Sequence, residues 1–436
     1  MERKLACFPA FCQRGFHEKR KERRVLTLPS KNGTRSAGRS GPQRLRSCWR
    51  GRIQFGRRRA SGRAAGRGGP RSRGSFKVRL GKRHLLLLAF LLHGVSFSHP
   101  SYERLPRTNL LVYHRADGRI APVRNKSNWQ KRRTEILKGC QEIMGSLPGK
   151  EKRCSLDVKI EAEKDRGTYV ERLVTYASEP HSRVPAYLLI PKEALARGQR
   201  LPAILALHPT DMQNGHRTVI EQIHENYPPY GRDLAERGYV VLAPSYPVMA
   251  NYEPDLKSLG YRSGTMKAVW DNIRGLDLLE SLPFVKNGRF GTIGHSLGGH
   301  NAIYTAVFDQ RIKVVVSSCG FDSFVDYKDG DILGWTSSRY MPRLLDYKDR
   351  LQEIPFDFHE LIAALAPRCI FINVPLGDTN FKWRSVDEIV RAARPVYALY
   401  GSPENLHVEH PNCGHEFPRE MRDMAYRHLD SVLKSK

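Results

Sequence analysis

Arg289-Phe290-Gly291-Thr292-Ile293-Gly294-His295-Ser296-Leu297-Gly298-Gly299 is the stretch that decides the fold. An apolar strand-like run leads into Gly294-His295-Ser296-Leu297-Gly298, and the helix-like segment from Gly299 to Phe308 follows it. This is the pattern of a nucleophile elbow, in which a serine sits on a sharp strand-to-helix turn and glycines two residues either side give its strained backbone room. Such a turn points the Ser296 hydroxyl out of the sheet. It also leaves the Leu297 N–H free at a helix N-terminus, where a developing oxyanion is stabilised. The five-residue pattern alone is common, so the rest of the chain has to supply an acid, a base and a second oxyanion donor.

Outward from the elbow, strand-like and helical patterns alternate. Strand-like runs cover Tyr169 to Tyr176, Val184 to Ile190, Ala203 to Leu207, Tyr239 to Ala243, Arg289 to Ile293, Ile312 to Ser317, Cys369 to Val374 and Leu406 to Val408. Ala177 to Arg183 reads as a hairpin connection between the first two. Helical patterns cover residues 127–145, Tyr230 to Arg237, Gly264 to Leu282 and Arg419 to Leu433. The alternation predicts an α/β fold with a mostly parallel central sheet and helices on both faces. The segment at about 321–367 is too long for a simple crossover and predicts a small cap over the strand ends. Trp335 and Tyr340 there are candidate substrate-binding residues, or else the cap's own small core.

In this fold order the acid follows the nucleophile and the histidine comes last. Asp378 lies in a loop just past the strand Cys369 to Val374 and is the candidate acid, with Asp322 and Asp326 as competitors. Of the histidines beyond it, His407 reads as part of a strand and His428 as part of the terminal helix. His415, in Pro411-Asn412-Cys413-Gly414-His415-Glu416-Phe417-Pro418, is the candidate base. The second oxyanion donor is expected after the strand Ala203 to Leu207, in His208-Pro209-Thr210. Proline has no N–H, which leaves the backbone of Thr210 to pair with Leu297. His208 and His295 flank the two donors and read as structural, with His295 also a candidate substrate contact; His300 reads as packed on the helix.

The formal charge of +29 is unevenly placed. Residues 1–84 carry 26 Lys+Arg against 3 Asp+Glu, leaving 47 against 41 for the remainder. The Arg/Gly/Ser-rich tail has no apolar period and cannot bury a core. It reads as upstream sequence before a mis-assigned start, or as an arm for nucleic acid or an anionic membrane surface. At 78–98, Lys82-Arg83 precede an apolar run from Leu85 to Leu92, and Ser96 and Ser98 resemble the positions before a signal-peptidase cut. An exported protein with no stable membrane span after cleavage is the expectation, and without that signal a cytoplasmic or membrane-anchored one. No Cys/His spacing suggests zinc, so neither metal nor cofactor is expected. Cys140 and Cys154 are a possible disulfide after export, while Cys319 and Cys369 read as buried and inert.

Four segments together carry a family resemblance: Arg183 to Pro191, Gly238 to Pro244, Gly294 to Gly299 and Gly414 to Pro418. Over 125–436 the chain resembles the dienelactone hydrolase and acetyl xylan esterase branch of the α/β-hydrolases. The resemblance implies an α/β-hydrolase fold and hydrolysis of carboxylic esters through an acyl-enzyme, without a cofactor. Its substrates are expected among small-molecule or carbohydrate esters. Dienelactone hydrolases proper commonly use cysteine, so Ser296 favours an esterase. Two rival expectations stand beside it. One is a prolyl oligopeptidase-like serine peptidase, for whose usual β-propeller the residues before the sheet leave no room. The other is a non-catalytic protein of the same fold whose basic tail engages nucleic acid.

Overall fold

A computed structural model of the chain describes residues 103–197 and 199–435. The basic tail and the signal-like segment at 78–98 lie outside the described residues. A two-stranded ribbon, β1 (Val112–His114) and β2 (Ile120–Pro122), precedes helix α1 (Lys126–Met144). The helix starts where the Asn125 side chain accepts a hydrogen bond from the Asn128 N–H at 2.9 Å, satisfying one of its unpaired donors. Trp129, Ile136, Cys140, Ile143 and Met144 form its buried stripe.

The main sheet then builds from β3 (Lys159–Asp165), β4 (Tyr169–Glu179), β5 (Ser182–Pro191), β6 (Leu201–Leu207), β7 (Val240–Pro244), β8 (Val285–His295), β9 (Ile312–Ser318), β10 (Cys369–Asn373) and β11 (Leu406–Glu409). Helices α2 (Lys192–Arg197), α3 (Tyr230–Glu236), α4 (Gly264–Ser281), α5 (Leu297–Phe308), α6 (Phe358–Ala364), α7 (Trp383–Tyr400) and α8 (Arg419–Leu433) connect or flank the strands. Across the sheet the order is β11-β10-β9-β8-β6-β7-β5-β4-β3. Every pairing from β11 to β7 is parallel, and those from β7 through β5 and β4 to β3 are antiparallel.

Central strands are apolar throughout because both faces are covered. In β6, Ala203, Leu205 and Leu207 join the core that holds α1, α4, α5, α6 and α7, while Ile204 and Ala206 join the core of α3 and α8. β7 divides in the same way, Val240 and Leu242 to one side and Val241 and Ala243 to the other. This is the period-two alternation of a strand with two covered faces.

Several expectations are refined. The hairpin turn is tighter than Ala177 to Arg183, since β4 ends at Glu179 and β5 begins at Ser182. Helix α7 was not expected, and neither was β3, an exposed and charged edge strand. Cys140 and Cys154 are both free thiols, so the possible disulfide does not form. Cys140 faces the core from α1, away from the surface.

The segment at 321–367, expected to form a cap, is built of short 3-10 turns followed by α6. Its Phe321, Phe324, Trp335, Phe356 and Phe358 are all buried and pack ring against ring. Asp357 and Glu360 form a capping box at the start of α6. Their outer oxygens accept from Arg107 and Arg104, so the segment before β1 is tied to the cap. Among the described residues no helix is long and apolar enough to cross a membrane.

Candidate active site

Ser296 stands between the last residue of β8 and the first of α5, with φ 55° and ψ −120°. A positive φ at a non-glycine residue is strained by roughly 1–3 kcal/mol and persists only where its surroundings enforce it. The enforcement is visible in the glycines. A Cβ on Gly294 would lie 2.1 Å from the Gly298 carbonyl, and one on Gly298 would lie 1.9 Å from the Leu207 carbonyl oxygen. A Cβ on Gly299 would lie 2.9 Å from Gly320 Cα. The elbow therefore packs backbone to backbone against the ends of β6 and β9. Ser296 N–H donates to Ser318 O at 2.8 Å. Tyr230 Oη donates to Leu207 O and accepts from His295 N–H, fastening the same junction.

Close approach of Gly298 to Leu207 also fixes the loop that follows β6. His208 is buried there, its Nδ1–H donating to Pro209 O at 2.8 Å and its Nε2 accepting from Tyr246 N–H at 2.9 Å. Burial pushes its pKa down to about 4, so the ring is neutral and serves as a clamp on the loop. Thr210 follows, exposed, with its hydroxyl 3.2 Å from the Tyr340 hydroxyl of the cap. The N–H groups of Leu297 and Thr210 have no acceptor among the described residues.

The acid and base candidates meet. His415 Nδ1 lies 2.9 Å from Asp378 Oδ2 and 3.1 Å from Oδ1. Asp378 Oδ1 also accepts from the N–H groups of Asn380 and Phe381. Burial works to raise the Asp378 pKa, but the His415 hydrogen bond and charge and the two backbone donors outweigh it, and the carboxyl is held below its ordinary value. The two loops are zipped in register beyond β10 and β11: Val374 N–H to Glu409 O, Leu376 N–H to Pro411 O, Gly377 N–H to Cys413 O. Ser296 Oγ makes no hydrogen bond to His415 in this conformation.

The competing carboxylates are engaged elsewhere. Asp322 is buried, accepts from Lys382 N–H at 3.1 Å, and burial pushes its pKa up to about 8. Asp326 accepts from the Ser323 and Ser385 hydroxyls. His410 bonds Val374 O and Asp387, and His407 stacks with His428.

Two of the three candidate substrate residues are buried. His295 is 0% exposed, with Nδ1 3.0 Å from Ser318 Oγ and its ring 4.9 Å from that of His415. Burial, then the neighbouring His415, push its pKa down to about 3. It backs the His415 ring from inside the protein and presents no surface to a substrate. Trp335 is 3% exposed and belongs to the cap's aromatic core. Only Tyr340, half-buried and joined to Thr210, reaches the site's surroundings. His300 packs its ring on Trp335 and bonds Gly320 O, a core position.

Two features went unread in the sequence. Asn373 is fully buried at the end of β10, and its Nδ2 donates to Ser318 Oγ at 2.8 Å and to Glu416 O at 3.0 Å, pinning the loop that carries His415. The signal was one amide closing an otherwise apolar run. The second is a hollow of about 790 Å³ lined by Thr210, Asp211, Met212, Gln213, His224, Glu225, Asn226, Tyr227 and His415. Burial works to raise the Asp211 pKa, but hydrogen bonds from Asn214, His224 and Gln213 outweigh it and bring it down to about 2, so the carboxylate stays charged at the hollow's rim.

Cys319 Sγ, Asp378 and His415 offer ligand atoms within 4.8 Å of one another, close enough for a metal. Those groups are already committed. His415 and Asp378 bond each other, and burial raises the Cys319 thiol well above its usual range.

Comparison with known structures bears on this geometry. A glucuronoyl esterase from Solibacter usitatus superposes with a TM-score of 0.60 at 19% identity, covering 76% of this chain and 99% of that one. A family 15 carbohydrate esterase, the glucuronoyl esterase of Caldicellulosiruptor kristjansonii, gives 0.56 at 20% identity over 76% and 91%. The chain has the α/β-hydrolase fold. Residues 232–354, which include the elbow, match the prolyl oligopeptidase family. In sequence the α/β-hydrolase chain is 28% identical over 312 residues to YtaP of Bacillus subtilis (strain 168), described as a hydrolase, covering 69% of this chain and 100% of that one. It is 26% identical over 190 residues to 4-O-methyl-glucuronoyl methylesterase 1 of Wolfiporia cocos (strain MD-104), 38% of this chain and 45% of that enzyme.

Proposed function

We propose that this α/β-hydrolase is a serine carbohydrate esterase with Ser296 as nucleophile, His415 as general base and Asp378 as its orienting acid. The observation that carries the reading is the His415–Asp378 pair at 2.9 Å beside a strained serine elbow. With Nδ1–H donated to Asp378, the His415 Nε2 lone pair is left to take the Ser296 proton as the hydroxyl attacks the ester carbonyl. Leu297 and Thr210 N–H groups stabilise the oxyanion, each worth about 3 kcal/mol of barrier. The protonated His415 then gives its proton to the departing alcohol, and water repeats the sequence on the acyl-enzyme.

The substrate we infer is an alkyl or aryl ester of a uronic acid, with the sugar on the acyl side. The names of the glucuronoyl esterases and methylesterases that resemble this chain support that side. In an acetylated sugar the carbohydrate is instead the leaving alcohol. Purified enzyme assayed on methyl glucuronate, on acetylated xylose and on a prolyl-peptide amide separates the readings. Turnover of the uronate ester at least ten-fold above the other two, abolished in Ser296→Ala, is expected; preferential cleavage of the peptide would favour the oligopeptidase match at 232–354. Export belongs to the same reading, since extended carbohydrate substrates lie outside the cell, and it rests on the segment 78–98.

A further inference from the structure

Cys369, His407 and His428 each offer one ligand atom, all within 4.8 Å of one another. They come from three different elements: the first residue of β10, the second of β11, and α8. The spacing of 38 and 21 residues between them resembles no metal-binding motif in sequence. Only the parallel pairing of β10 with β11, which sets Phe371 beside His407, and the docking of α8 bring them together.

The two imidazoles face each other with ring centroids 4.0 Å apart and planes tilted by 41°. Neither ring nitrogen pair has a protein hydrogen bond among the described residues, unlike His208, His224, His410 and His415, each of which bonds a protein acceptor or donor. Among the described residues Cys369, 6% exposed, has no side-chain hydrogen-bond partner either, and it lines a surface hollow with Arg368, Asn405 and Val432. One thiol and two imidazoles without partners, converging at one point, are a donor set of the kind that suits zinc. A tetrahedral zinc with Zn–S about 2.3 Å and Zn–N about 2.0–2.1 Å sets its ligand atoms about 3.3–3.6 Å apart. That is shorter than the 4.8 Å that bounds the present separations, so zinc would draw the three groups together.

We propose that Cys369, His407 and His428 form a zinc-binding site that clasps α8 to the edge strands β10 and β11. It lies at the opposite end of β10 from the loop bearing Asp378, so its role is to hold the edge of the sheet rather than to take part in ester hydrolysis. Three protein ligands leave a fourth position for water. Binding requires the Cys369 thiol to lose its proton to solvent as the Zn–S bond forms.

The test uses the full chain, stripped with a chelator and titrated with Zn²⁺ or Co²⁺. We expect about one equivalent of metal, a thiolate-to-cobalt charge-transfer band in the near ultraviolet, and a zinc-dependent rise in the thermal midpoint. Cys369→Ser, which leaves a buried site nearly isosteric, and His428→Gln, at a half-exposed helix position, should each weaken binding at least ten-fold and abolish the band. Cys319→Ser should leave both unchanged. Binding of neither metal by the wild type, or a band that survives Cys369→Ser and vanishes in Cys319→Ser, would overturn the proposal. Esterase activity enters none of these readouts, so the outcome is independent of the function proposed above.

Discussion

Gly298→Ala is the substitution whose effect can be worked most directly from the structure. The added Cβ would sit 1.9 Å from the Leu207 carbonyl oxygen, whereas ordinary van der Waals contact begins at about 3.4 Å. The obstacle is backbone at the end of a central parallel strand with both faces buried, so it has little freedom to retreat. The shortfall of about 1.5 Å must be absorbed by moving the first turn of α5 away from β6. That turn carries Leu297 N–H, and the Leu207 end of β6 leads to Thr210, so the displacement opens the gap between the two proposed oxyanion donors. A misplacement of about 1 Å in a catalytic group costs on the order of 100-fold in rate, and loss of one oxyanion donor costs about 100- to 1,000-fold. We expect kcat to fall at least 100-fold with KM changed by less than about three-fold, because the donors act on the transition state. The assay is steady-state hydrolysis of methyl glucuronate and of p-nitrophenyl acetate, with circular dichroism and a thermal melt confirming a folded protein. A folded Gly298→Ala enzyme with kcat within two-fold of wild type would refute the placement of the oxyanion site.

Other substitutions test separate parts of the account. Ser296→Gly relieves the positive φ that Ser296→Ala retains, so the glycine variant should unfold about 1 kcal/mol less readily than the alanine variant in urea, both being inactive. Asp322→Asn should keep kcat within about three-fold, whereas Asp378→Asn should lose about 10⁴-fold by presenting the wrong His415 tautomer. The same Asp322 holds a proton up to about pH 8 in the fold but releases it near 3.8 when unfolded. Wild-type stability should therefore decline as pH rises between those values, by up to about 1.4 kcal/mol per pH unit, and Asp322→Asn should flatten that slope in urea titrations. Asn373→Ala removes the hydrogen bond that ties Glu416 O, in the loop carrying His415, to the end of β10, and should lower kcat about ten-fold with KM nearly unchanged.

Legibility in the sequence followed how local each feature is. The elbow was readable because three glycines within six residues mark a backbone conformation that few other sequences tolerate. Strands β6 to β10 were readable because apolar runs bounded by glycine and proline have few alternatives in an alternating α/β chain. Helix α7 escaped because Pro395 interrupts its pattern, yet the proline sits far enough along for the helix to continue around it. β3 escaped because its two apolar residues, Ile160 and Ala162, sit exposed among charges and give too short an alternation to signal a strand.

Asp378 and His415 could be proposed from their places after strands, but the choice of Asp378 over Asp322 needed the tertiary ladder joining the two loops. Trp335 shows the converse limit. An aromatic in a cap segment has the same sequence appearance whether it lines a pocket or fills a core, and only its packing against Phe324 and His300 decides. His295 was drawn toward the site by adjacency to Ser296, but strand alternation at the elbow turns it inward, onto Ser318.

The central claim is that Ser296 is the nucleophile and that the His415–Asp378 pair activates it. Fluorophosphonate labelling followed by peptide mass spectrometry tests it most directly. A single covalent adduct on Ser296 is expected, formed at least 100-fold more slowly in His415→Ala and in Asp378→Asn. An adduct on another residue, or a labelling rate unaffected by those two substitutions, would contradict it.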